Sequence, residues 1–149
     1  MTDKTIKVAF ALSNENIFEN DHFGNADKYH IYQIAGEKMV FSEEIVNPHK
    51  SFDESQKHGV RKKGLAIVDL LKKSNVNVLV SKRFGKNIQV VNSYFVPVII
   101  KEDTPDDVSE ILLKHKMWLY DELKSNAEEY KLFTIDKGIM KTKIKREEE

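Results

Sequence analysis

Residues 6–12, Ile-Lys-Val-Ala-Phe-Ala-Leu, are apolar on both sides of a period-two repeat. Ile6, Val8, Phe10 and Leu12 face one way and Lys7, Ala9 and Ala11 the other, because successive side chains of a strand alternate. A strand with one wet face would carry polar residues at every second position. This one has a single lysine, so it needs cover on both sides and belongs in the interior of a sheet. The chain is 149 residues long, enough for one domain with a substantial core.

The rest of the chain supplies the cover. Residues 13–27 form a long polar loop, and Ser13, Asn14 and Asn16 are turn formers. Residues 28–35 and 38–46 read as a hairpin turning at Gly36-Glu37. A polar loop follows over 47–57. A helix is expected from about Gly59 to Lys73, with Gly64, Ile67, Val68 and Leu71 inward and Lys62, Lys63, Lys72 and Lys73 snorkelling outward. Residues 76–80, a short helix opened by Gly85, and residues 96–100 make a strand–helix–strand unit, parallel with a right-handed crossover. Pro97 places the last of these strands at the sheet edge. Thr104-Pro105-Asp106-Asp107 starts a helix running to about Leu123: Thr104 caps, proline suits the first turn and the acids face the positive dipole end. Residues 131–144 alternate around Asp136-Lys137-Gly138 as a further hairpin. The expected architecture is an α/β sandwich with a mixed sheet of about five strands and flanking helices, over residues 1–125. Residues 126–149 form a hairpin-like extension that packs on the domain or on a partner.

Composition removes several classes of function. Lys+Arg and Asp+Glu balance at 24 each, which gives no footing for nucleic acid. There is no cysteine, hence no disulfide, thiolate nucleophile or thiolate metal ligand. No run approaches the roughly 20 apolar residues of a membrane span, and the N-terminus lacks the apolar stretch of a signal peptide. The expectation is a cytoplasmic protein. No phosphate-loop, dinucleotide or serine-elbow motif is present.

Chemistry concentrates in Asp21-His22-Phe23-Gly24, between two strands. Histidine is a common metal ligand, and glycine permits close backbone approach. The bland alternative for His22 is a loop histidine bonded to backbone, and for Phe23 a packing anchor. His58-Gly59 opens the first long helix, where free amides attract anions, or His58 is simply exposed. Lys82, Arg83 and Lys86 surround Phe84-Gly85 in a turn between a strand end and a helix start. Such turns are where open α/β sheets bind ligands, and the cations suit an anionic one; the alternative is a solvated basic turn. His49 sits in a polar loop, while His30 and His115 read as structural.

His22-Phe23-Gly24 with Ile31-Tyr32, then Asn47-Pro48 with His58-Gly59, then Val76–Val80 with Phe84-Gly85 and Val96–Ile100, together resemble the dinitrogenase iron–molybdenum cofactor biosynthesis family, the NifX/NafY-like group. The resemblance covers about residues 5–115. It implies a ribonuclease H-like fold and a non-catalytic protein that binds or carries an iron–sulfur or iron–molybdenum cofactor precursor in nitrogen fixation. His22 and His58 would be metal ligands, with Phe23, Gly24, Gly59, Lys82, Arg83 and Lys86 around the cofactor. The implied partners are cofactor-assembly or acceptor proteins, or a second copy of the chain. The family more often has small residues where this chain has the basic turn. Nuclease chemistry on such a fold needs carboxylates on the first strand, and residues 6–12 contain none. The rival reading is a protein-interaction or regulatory module of the same fold without a cluster, its C-terminal hairpin available for strand addition.

From these placements we expect the polar loop 13–25 to be mobile, with few apolar anchors. We also expect one cleft bounded by His22, His58 and Arg83.

Overall fold

The first strand, β1 (Ile6–Leu12), is buried except at Lys7. It pairs antiparallel with β2 (Lys28–Ala35) and parallel with β4 (Val78–Ser81). The computed structural model describes residues 5–50, 59–125, 128–136 and 138–144. Beyond β2 lies β3 (Lys38–Val46), joined to it by the expected hairpin, whose Gly36 has φ +62°. Beyond β4 lie β5 (Val96–Ile99), β6 (Leu132–Ile135) and β7 (Ile139–Thr142). The sheet of the described residues therefore has seven strands in the order β3-β2-β1-β4-β5-β6-β7. Its centre, β1, β4, β5 and β6, is parallel, and antiparallel strands flank it on both sides.

Two expectations change here for one reason. The sheet has seven strands rather than five because the C-terminal hairpin extends it, with β6 docking on β5 at Val98↔Phe133. That makes β5 an interior strand despite Pro97. The N–H groups of Val96 and Ile100 both donate towards the β4 side, to Asn77 and Ser81. Alternation then turns the Pro97 nitrogen towards β6, whose pairing begins one residue later, at Val98. The missing donor costs no ladder bond.

Helices cover both faces. Ala9 and Ala11 pack with Ile67, Val68 and Leu71 of α1 (Gly59–Lys72) and Val91 of α2 (Ile88–Val91). Ile6, Val8, Phe10 and Leu12 pack with Val108 and Leu112 of α3 (Pro105–Lys114) and Leu119 and Leu123 of α4 (Lys116–Lys124). The two halves of the period-two pattern in β1 thus belong to two cores. α1 and α2 approach closely at Gly64, where a Cβ would lie 3.0 Å from that of Val90. The α3 cap is as expected, Thr104 Oγ1 accepting from the Asp107 N–H at 3.3 Å. The single helix expected from 105 to 123 is instead broken at His115 (φ −112°, ψ 17°), where no proline or glycine marks the change. Among the described residues no helix is long and apolar enough to cross a membrane.

Candidate functional site

Two loops leave the C-terminal ends of the paired parallel strands β1 and β4. The 13–27 loop is tied down more firmly than its polar composition suggests. Phe18 and Phe23 are 1% and 2% exposed and act as its apolar anchors. The Phe18 N–H donates to Asp103 O at 2.8 Å and the Glu19 N–H to Ala11 O at 3.0 Å. The Phe23 ring stacks on Tyr29, with centroids 4.8 Å apart, and on Phe84 at 5.4 Å. Phe23 is thus the packing residue, and the aromatic stack joins the loop after β1 to the turn after β4. A backbone bond reinforces the junction, from the Phe23 N–H to Arg83 O at 2.9 Å.

This junction places His22. Its backbone is extended, its side chain is exposed, and its ring lies over Gly85. A Cβ on Gly85 would sit 2.6 Å from His22 Nδ1 and 3.2 Å from both Cγ and Cε1. The imidazole occupies the space that any other residue at 85 would fill. Gly85 is therefore required by its neighbour, not by its backbone angle.

The loop behind His22 is held from below. Gly24 presses against α1 and the turn before α2: a Cβ there would meet Asn87 Nδ2 at 3.1 Å and Lys63 Cε at 3.3 Å. Asn47, 6% exposed, extends its amide to Gly24 O at 3.0 Å, Ala26 O at 2.9 Å and Tyr29 Oη at 3.3 Å. The Tyr29 hydroxyl donates to Phe23 O at 2.8 Å, and its burial drives the phenol pKa far upward, so it remains a donor. Lys63 was expected to snorkel outward, yet it is 2% exposed and bonds Asn25 Oδ1. It stands four residues before Ile67 and eight before Leu71, on the buried face of α1. The Asp21 carboxylate accepts the His22 N–H at 2.7 Å. That bond is the main cause holding its pKa below the usual carboxylate value.

The basic turn divides. Lys82 reaches Asn20 Oδ1 at 3.2 Å and pairs with Asp103, so it ties two loops together. Arg83 and Lys86 are exposed beside His22 and Gly85 in the chain's own turn. His58 lies outside the described residues, so of the expected cleft the described part is His22 with the Arg83 turn; Gly59 begins α1 and is buried. The other described histidines are His30, His49 and His115. His30 bonds Glu44 at 2.8 Å on β2 and β3. His49 follows β3, its N–H donating to Asn47 Oδ1 at 2.9 Å. His115 sits between α3 and α4, its pKa lowered by burial and then by Lys114.

Among the described residues no three His, Asp or Glu side chains converge as metal ligands. The site offers one imidazole on an accessible rim with two exposed cations nearby. A resident zinc or iron would ordinarily need three or four donors. A preassembled anionic cluster, already supplied with sulfur ligands, needs only one from the protein, and this donor set fits that.

Gly85, Asn47, Lys63 and Asn87 are the residues that sequence reasoning did not assign to the site. The 63–67–71 spacing marks Lys63 as inward-facing. The contact between Gly85 and His22 has no local signal, since it joins residues 63 positions apart.

The family model described as dinitrogenase iron-molybdenum cofactor matches residues 4–116. A Methanococcus jannaschii protein solved by NMR and provisionally described as a dinitrogenase has a similar fold. The TM-score is 0.54 at 19% identity, over 78% of this chain and 92% of that one. A search of curated proteins gives no match.

Proposed function

The chain belongs to the dinitrogenase iron-molybdenum cofactor family, and from that premise we propose that it is a non-catalytic carrier for an iron–sulfur or iron–molybdenum cofactor precursor, with His22 as the direct ligand. The observation that carries this reading is the exposed imidazole seated over Gly85, at the ends of two parallel strands where open α/β sheets bind ligands. Arg83 and Lys86 offer counter-charge to an anionic cargo. Attachment through one protein ligand is readily reversed, as a carrier requires. We also read β3-β2-β1-β4-β5 as a ribonuclease H-like core with the hairpin β6–β7 appended; β1 contains no acid, which supports binding rather than two-metal nuclease chemistry.

The test is anaerobic titration with a cofactor precursor, followed by visible absorbance. The charge-transfer bands that develop should be lost in His22→Ala, and mild acid should release the cargo because imidazolium has no lone pair for a metal. Binding indifferent to both would remove His22 from the ligand role.

The second reading, an interaction module without cargo, draws on the outer strands. β3 exposes Val40, Phe41 and Val46, at 49%, 50% and 70%, and β7 exposes Met140 at 64%. Strand addition at β3 or β7 would suit an acceptor protein or a second copy of the chain. A cargo-free protein that captures such a partner unchanged in His22→Ala would favour it.

A further inference from the structure

We propose that Lys63 is a positioning residue for His22, acting through Asn25. Lys63 places a buried ammonium on the core-facing side of α1. Position 63 continues the buried stripe of Ile67 and Leu71, and an apolar side chain there would satisfy α1. Burying a cation is costly unless its donors are used. Lys63 uses them beneath the loop that carries the imidazole. Its Nζ bonds Asn25 Oδ1, and the Asn25 N–H donates to His22 O at 2.8 Å. This chain of bonds runs from the body of the domain to the backbone of the one residue whose ring lies over Gly85. The lysine stem also packs where Gly24 leaves room, with Cε and Cδ 3.3 and 3.9 Å from the position of an added Cβ. Lys63 and Asn25 sit on two segments, so helix α1 fixes one side of the loop while the Phe23–Arg83 bond fixes the other.

The consequence is specific. Without Lys63 the loop keeps its Phe23 and Asn47 anchors, and the domain keeps its core, but the His22 backbone is no longer referenced to α1. Affinity for cargo then falls because the imidazole is no longer held in one place. This consequence rests on His22 being the cargo ligand; the relay itself does not.

The experiment uses the full chain and two variants, Lys63→Met, close to lysine in length and shape, and Asn25→Ala, which breaks the relay at its middle. The first readout is the NMR cross-relaxation between the His22 ring protons and Gly85 Hα in the cargo-free protein. The second is the affinity for tetrathiomolybdate, a molybdenum–sulfur dianion, followed by absorbance. We expect the ring–glycine signal in the parent chain and its loss in both variants, with affinity at least tenfold weaker. A signal that persists in both variants overturns the proposal, and so does weaker affinity with the signal intact, which would make Lys63 only a source of charge. A parent chain that shows the signal pattern but does not bind the probe would count against the carrier reading and leave the positioning role supported. Should Lys63→Met not fold, Asn25→Ala decides alone.

Discussion

Replacing Gly85 by alanine separates the site from the fold. The new Cβ would lie 2.6 Å from His22 Nδ1, where ordinary contact begins at 3.4 Å, so the ring must retreat by about 0.8 Å, the difference between the two. The obstruction is an exposed side chain rather than backbone, and a small χ change or a rotamer change relieves it at roughly 0.5–1.5 kcal/mol. Gly85 has no left-handed φ, so alanine fits the backbone and returns about 0.4–1 kcal/mol by restricting the unfolded chain. The two effects nearly cancel, and a thermal melt should shift by no more than a few degrees. Binding should not be so forgiving. A ligand whose support is removed typically loses about 10–100-fold in metal affinity, and here the proposed ligand itself is pushed off its seat. The assay pairs a melt with the anaerobic absorbance titration. Parent-like affinity in Gly85→Ala would refute the reasoning, because it would mean that the imidazole position over residue 85 has nothing to do with cargo. A collapse of the melting temperature would refute it differently, by showing that the glycine serves the fold.

Other substitutions probe the supports. Gly36→Ala should be the mirror case: at φ +62° with nothing within 4 Å, it should cost about 1 kcal/mol in a urea melt and leave cargo affinity unchanged. Asn47→Leu removes the buried amide that serves Gly24 O and Ala26 O, leaving acceptors unsatisfied at about 1–3 kcal/mol each; denaturant midpoints should fall and amide exchange in 22–26 should accelerate. Asp21 and Asp27 both have lowered pKa values, Asp21 mainly from the His22 N–H and Asp27 mainly from Lys50. Their contribution is present above the unfolded carboxylate value, about 3.9, and is lost as pH falls through the lower folded values. An acid melt should therefore show a stability loss below about pH 4 that is smaller in Asp27→Asn. Truncation after Ser125 removes Phe133 and Ile135, 0% and 3% exposed, and the Lys131 and Lys141 partners of Glu122, itself 2% exposed. The loss of apolar burial alone is about 1.5–3 kcal/mol per side chain, so the melting temperature should drop sharply; an unchanged melt would show that β6 and β7 are dispensable.

How much of this was legible beforehand follows from the range of the interactions. The two-sided apolar pattern of β1, the hairpin at Gly36, the α3 cap at Thr104 and the boundaries of α1 are set by residues within one or two turns of each other. They could be read in order along the chain. Pro97 shows where local rules fail. The rule that proline avoids interior strands concerns a missing donor, and whether that donor matters depends on a strand that joins the sheet some 35 residues later. Lys63 fails in the other direction. A lysine on a helix is normally a surface residue, yet the 63–67–71 spacing puts this one on the buried face of α1. Its burial makes sense only once Asn25 is placed above it by a loop anchored through Phe23. The site was half visible for the same reason. His22 and the 82–86 turn were both identified, and their meeting at one end of the sheet follows from β1 and β4 being parallel neighbours. The detail that gives the imidazole its seat, a glycine whose absent Cβ is replaced by another residue's ring, is a statement about packed volume. Hydrophobic periodicity carries no information about such a void, so the glycine reads as a turn residue until both loops are seen together.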